Sequence, residues 1–147
     1  MALIENKKAY LNYEILEEYE AGLELLGGEV KALRAKLGKL DGSHITVRGG
    51  EAYLIGASIP PYQSGNTPAD YEPTRNRKLL LTKKEIAILG ARESQKGLTI
   101  VPLRVYSKGR RLKLAFGVAR GKKKYDKRAA LKERDTRREM QRTLKNK

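Results

Sequence analysis

The chain has 147 residues, about one domain's worth of sequence. Lys and Arg number 32 against 17 Asp and Glu, so the formal net charge is +15 and a polyanion is the expected partner, nucleic acid ahead of an anionic membrane. With no cysteine and a single histidine, His44, the composition excludes disulfide frameworks, thiolate metal sites and cysteine nucleophiles, and leaves one possible base for serine–histidine catalysis. No apolar run approaches the roughly 20 residues that span a bilayer, and the first eight residues lack the apolar segment of a signal peptide, so no membrane contact and a cytoplasmic location are expected.

The charge is unevenly placed. Residues 120–147 hold 13 basic and 4 acidic side chains, net +9, leaving 19 basic and 13 acidic, net +6, before them. The first 30 residues oppose the overall sign, with seven Glu against Lys7 and Lys8. From Ala9 to Tyr19, aromatic and aliphatic residues interleave with Glu, which predicts a half-buried strand ending near Gly22. Gly27-Gly28 breaks the chain before a short amphipathic helix over 29–36, with Val30, Leu33 and Leu37 at helical spacing. Two β-rich runs, His44–Arg48 and Ala52–Ile59, flank Gly49-Gly50, a hairpin signal because glycine reaches the positive φ of a primed turn without steric cost.

Four of the five prolines fall between Pro60 and Pro73, marking a long irregular loop. Thr82, with Glu85 three residues on, forms a capping box for a helix whose Ile86 and Leu89 face inward, and which Gly90 kinks or Gly97 ends. Leu98–Tyr106 and Leu112–Ala119 alternate as strands across the basic turn 107–111. About five strands with two or three short helices suit a mainly β (α+β) body, residues 1–120, built as a small OB-like antiparallel barrel. Residues 121–147 have good helix formers and few large apolar side chains, which predicts a tail disordered when free and helical when a polyanion neutralises it.

No constellation carries catalysis. Glu17, Glu18 and Glu20 read as glutamates on a solvated strand face, His44 as a surface strand histidine, and no phosphate-binding glycine loop, metal-ligand set or cofactor motif is present. Arg75-Asn76-Arg77-Lys78 before Leu79-Leu80-Leu81 leaves two roles open: charges guarding a buried segment, or a rim beside an exposed leucine that stacks on unpaired bases.

Several segments recur, in one order, in a known family: Asn6-Lys7-Lys8-Ala9, Glu20-Ala21-Gly22, Gly28–Arg34, Gly50-Glu51-Ala52, Pro73-Thr74-Arg75, Arg77–Leu81, Val101-Pro102-Leu103 and Gly121–Arg128. Over nearly its whole length the chain resembles the SsrA-binding protein (small protein B, SmpB) family. That resemblance implies an OB-type barrel and a non-enzymatic bacterial factor that binds the tRNA-like domain of transfer-messenger RNA (tmRNA). It further implies delivery of alanine-charged tmRNA, with elongation factor Tu, to stalled ribosomes for trans-translation. The body would replace the missing anticodon arm near the decoding centre, and the tail would occupy the empty mRNA channel of ribosomal RNA. The family's RNA-binding residues match Glu20, Leu80 and Lys113, and its ribosome-interacting tail residues match Gly121, Lys122, Lys123, Asp126, Lys127 and Arg128. The pattern departs at Gly42-Ser43-His44 and at Thr82. A monomer without cofactor is expected, the alternatives being an unselective nucleic-acid binder and an RNA-processing enzyme built on a carboxylate metal set.

Overall fold

The computed structural model describes residues 2–63 and 67–122. In chain order the elements are β1 (Ala2–Glu5), α1 (Lys7–Asn12), β2 (Tyr13–Leu23), α2 (Gly27–Arg34), β3 (His44–Arg48), β4 (Glu51–Ile55), β5 (Arg77–Leu80), α3 (Lys83–Glu93), β6 (Leu98–Lys108) and β7 (Arg111–Gly121). All pairings among these strands are antiparallel, and the order β6-β3-β4-β5-β2-β7 closes because β7 also pairs with β6. This is the expected small OB-like barrel. β1 adds alongside residues 104–106 of β6.

Residues that alternate inward fill the barrel: Ile45, Leu54, Leu79, Ile100, Leu114, Phe116 and Val118 are all buried, with Ala32 and Leu33 of α2 packed in the same cluster. Between β3 and β4, Gly49 and Gly50 take φ of 56° and 76°, the primed-turn geometry expected of that pair. Thr82 Oγ1 accepts from the Glu85 amide and Glu85 Oε1 accepts from the Thr82 amide, which completes the expected capping box. Ile86 and Leu89 face inward, and the helix runs through Gly90 to Glu93.

Three local expectations change. Residues 9–12, expected to begin a strand, belong instead to α1, because the buried Asn6 anchors the turn: its backbone amide donates to Leu103 O at 2.7 Å and its Nδ2 to Pro102 O at 2.9 Å. Ala9 then packs on Val101, Leu103, Ala115 and Ala119, so α1 covers the outer face of β6 and β7 at one end. β4 stops at Ile55, where Gly56 turns the chain, and Ser58 only bridges Lys39. Finally, α2 ends at Arg34, so Leu37 lies beyond it and is exposed.

One buried ionic cluster ties the irregular loop to the barrel. Glu29, 1% exposed, accepts from Arg77 Nη2 at 2.6 Å, Arg77 Nε at 2.9 Å, Arg75 Nε at 3.0 Å, the Tyr71 hydroxyl at 3.0 Å and the Leu26 amide at 2.8 Å. Arg77 is completely buried and spends its other N–H groups on Ala57 O and Pro73 O. Of the two roles open for the Arg75–Lys78 run, neither describes Arg77, which is a core cation. Burial alone would raise the Glu29 pKa, but the hydrogen bonds from Arg75, the Leu26 amide and Arg77 outweigh it and hold the carboxyl at about 2 against an ordinary 4.5.

Because that folded pKa is depressed, its stabilisation is fully present above pH 4.5 and is lost as pH falls toward 2. Glu29→Gln strands a buried guanidinium and is expected to cost about 3 kcal/mol of unfolding free energy at pH 7. It should also flatten the fall in stability between pH 4.5 and 2, measured by denaturant unfolding across that range.

Candidate nucleic-acid interface

Strand register brings the three body residues expected from sequence onto one patch. Gly22 of β2 pairs with Leu80 of β5 on one side and with Lys113 of β7 on the other, and Lys113 pairs with Tyr106 of β6. Tyr106, Lys113, Gly22 and Leu80 therefore form a single row across four strands. Glu20 lies two residues along β2 from Gly22, on the same outward face, because side chains alternate along a strand.

Leu80 is 56% exposed although Leu79 beside it is fully buried. A Cβ at Gly22 would stand 3.2 Å from Leu80 Cδ1, so the glycine leaves room for the leucine to lie across it. Together with Leu23, Leu25, Val30, Leu112, Lys113, Arg110 and Arg111, these two residues line an open groove of about 600 Å³. Its floor is apolar and its rim cationic. That pairing suits a nucleobase, which stacks on apolar surface while its phosphate meets Lys or Arg. Arg34 Nη2 donates to Arg110 O at 2.8 Å, so the end of α2 holds the β6–β7 turn against this groove.

Glu17, Glu18 and Glu20 of β2 are each matched by a cation from another element. Glu17 pairs with Arg92 of α3 at 2.7 Å, Glu18 with Arg104 at 3.1 Å and Glu20 with Lys108 at 3.1 Å. Glu20 also accepts from the Tyr106 hydroxyl. That hydrogen bond, then the one from Lys108, holds its pKa below the ordinary carboxylate range. Hydrogen bonds from Arg92 and from Tyr19 do the same for Glu17. Tyr106 itself is pushed up to about 12 by partial burial and by Glu20.

The tail leaves from the other end. Gly121 pairs with Tyr13, the Lys122 amide donates to Asn12 O at 2.8 Å, and Lys122 Nζ donates to Tyr10 O at 3.0 Å. Gly121 lies eight positions along β7 from Lys113, about 26 Å of strand. Of the expected tail residues, Gly121 and Lys122 are thus distant from the Glu20–Leu80–Lys113 patch, and Lys123, Asp126, Lys127 and Arg128 lie outside the described residues. His44 is exposed at the start of β3 and borders a separate polar groove with Asn6, Lys8 and Asn12.

Tyr106, Lys108, Arg104, Arg110 and Arg111 were not singled out as site residues from sequence. The usable signal was period two: Arg104, Tyr106 and Lys108 occupy one face of β6, as Glu18 and Glu20 do on β2. That β2 lies beside β7, which brings these two faces together, was not legible. Among the described residues no group of three or more His, Cys, Asp or Glu is placed to hold a metal ion, and no helix is long and apolar enough to cross a membrane.

A closed small antiparallel barrel carrying an apolar groove with a cationic rim defines an OB-like nucleic-acid-binding protein. The family model described as SmpB protein matches residues 3–146, and the chain belongs to the SmpB family. It is 50% identical over 143 residues to an SsrA-binding protein of Thermosynechococcus vestitus, covering 97% of this chain and 94% of that protein. It is 48% identical over 145 residues to an SsrA-binding protein of Ligilactobacillus salivarius, covering 99% and 93%. A solved structure described as "tmRNA-SmpB: a journey to the center of the bacterial ribosome" contains a chain 48% identical in sequence, aligned with a TM-score of 0.67 over 82% of this chain and 85% of that one.

Gly22→Ala tests how the groove is built. Because Leu80 is free to give way by a few tenths of an ångström, the substitution should change unfolding free energy by no more than about 1 kcal/mol. It should nevertheless displace the Leu80 methyl resonances, read by carbon-13 methyl spectroscopy.

Proposed function

We propose that this protein is a non-catalytic, cytoplasmic factor of ribosome rescue. It binds the tRNA-like domain of tmRNA through its barrel and brings that RNA, with elongation factor Tu, to stalled ribosomes for trans-translation. The observation that carries this reading is the convergence of Glu20, Leu80 and Lys113 around Gly22, in a chain whose relatives are SsrA-binding proteins.

Each of the three has a distinct chemical task. Leu80 offers an apolar surface to a splayed base, Lys113 neutralises a phosphate, and the Glu20 carboxylate accepts hydrogen bonds from base amino groups or 2′-hydroxyls. Phosphate contact alone is sequence-independent and salt-sensitive, so selectivity falls to Leu80 and Glu20.

The division of labour follows the two ends of the β2–β7 ladder. Residues 1–120 act as the RNA-reading body. Residues 121–147, through Gly121, Lys122, Lys123, Asp126, Lys127 and Arg128, act as a cationic probe that occupies the mRNA channel when no message fills it. Steric vacancy is then the signal of a stalled ribosome.

Truncation after Lys122 should leave selective binding of the tRNA-like fragment in place while abolishing tagging of stalled peptides in a reconstituted translation system. Equal loss of both contradicts the division. Glu20→Gln separates this reading from an unselective polyanion binder: a shaped site should lose about tenfold in affinity by filter binding, whereas a polyanion binder gains from removal of a negative charge.

A further inference from the structure

The Glu20 carboxylate is held from two directions. Tyr106 donates its hydroxyl to Oε2, and Lys108 Nζ donates to Oε1 at 3.1 Å. Both donors come from β6, two strands away from β2 and so about 10 Å distant at the backbone. Ala115 stands opposite Glu20 on the intervening β7 and Arg104 opposite Ala115, so Tyr106, two residues along β6 and packed on Ala115, reaches Glu20 diagonally across that small side chain.

Tyr106 is itself fixed. Its ring packs on the cluster of Ala9, Val101, Leu103, Ala115 and Ala119, and the Arg104 guanidinium sits 5.9 Å from the ring centroid. Arg104 in turn is held by Glu18. The hydroxyl is therefore a fixed point on the face, not a roving surface group.

A carboxylate has about four acceptor positions, two on each oxygen. The two donors take one on each, and the Glu20 side chain remains 50% exposed. We propose that Tyr106 is a positioning residue of the RNA interface: with Lys108, it fixes the plane of the Glu20 carboxylate so that the two free acceptor positions meet hydrogen-bond donors of the RNA, a base edge or a 2′-hydroxyl. This rests on the reading of Glu20 as an RNA contact.

The charged and titratable groups facing Glu20 are Tyr106 and Lys108 from β6 and Lys113 from β7, with the Glu18–Arg104 pair alongside. The same hydrogen bonds that orient the carboxylate keep it ionised, and Tyr106 keeps its proton to donate.

The experiment has two readouts. In the free protein, carbon-13 titration of the Glu20 carboxyl is compared between wild type and Tyr106→Phe, which keeps the ring and removes the donor. Affinity for the tRNA-like fragment of tmRNA is then measured in wild type, Tyr106→Phe, Glu20→Gln and the double variant. The expected result is a Glu20 titration moved to higher pH in Tyr106→Phe, an affinity loss of about tenfold, and no further loss when Tyr106→Phe is added to Glu20→Gln.

An unmoved Glu20 titration overturns the proposal, as does an equal affinity loss in both backgrounds, which would make Tyr106 a direct contact. A Glu20→Gln variant with unaltered affinity removes the underlying reading of Glu20, a different failure visible without reference to Tyr106. Lys108→Met, at an exposed side chain, repeats the titration arm should Tyr106→Phe fold poorly, and an unmoved Glu20 titration there overturns the clamp.

Discussion

Glu29 sits where three otherwise separate pieces of chain meet. It accepts from the Leu26 amide at the start of α2, from Tyr71 and Arg75 in the irregular loop, and from Arg77 at the first residue of β5. Two cations share one buried carboxylate, Arg77 fully buried with it and Arg75 at its partly exposed edge, so its strength depends on complete hydrogen bonding. Arg77 achieves that by also donating to Ala57 O and Pro73 O. Fixing Arg77 fixes the register of β5, and that register turns Leu79 into the core and Leu80 out over Gly22. The exposed leucine of the groove is thus placed by a carboxylate buried in the core.

The outer face has a related logic. Net charge before Arg120 is +6, and Glu17, Glu18 and Glu20 of β2 are paired with Arg92, Arg104 and Lys108. What remains open at the groove is Arg110, Arg111 and Lys113 around an apolar floor. In the proposed interface the overall surplus supplies long-range attraction, and the arrangement of a few side chains supplies recognition. α1 covers the opposite end of the same face and receives Lys122, so the tail departs about 26 Å of strand along β7 from Lys113.

Local signals carried much of the fold. The Gly49-Gly50 turn, the Thr82–Glu85 capping box and the alternation of β6 and β7 each depend on neighbours in sequence, and each was read correctly. α1 was missed because its six residues lack a side-chain cap bond and the aromatic alternation of β2 runs into them. β1 was missed because four residues gain their structure only by pairing with β6, about a hundred positions away. The burial of Arg77 was hidden for the same reason, since its partner lies 48 positions earlier. Glu20, Leu80 and Lys113 were picked out by family resemblance; only the register explains why those three belong together.

In the proposed interface, shape at Leu80 and charge at Lys113 contribute separately to RNA binding. The direct test is the affinity of the tRNA-like fragment as a function of salt for wild type, Leu80→Ala and Lys113→Ala. Loss of an apolar stacking surface should lower affinity equally at every salt concentration, leaving the slope of log affinity against log salt unchanged. Loss of one phosphate contact should instead reduce that slope by about 0.7–0.9. A Leu80→Ala variant that binds as tightly as wild type at all salt concentrations, or one whose only effect is on the slope, would rule out a stacking role for Leu80.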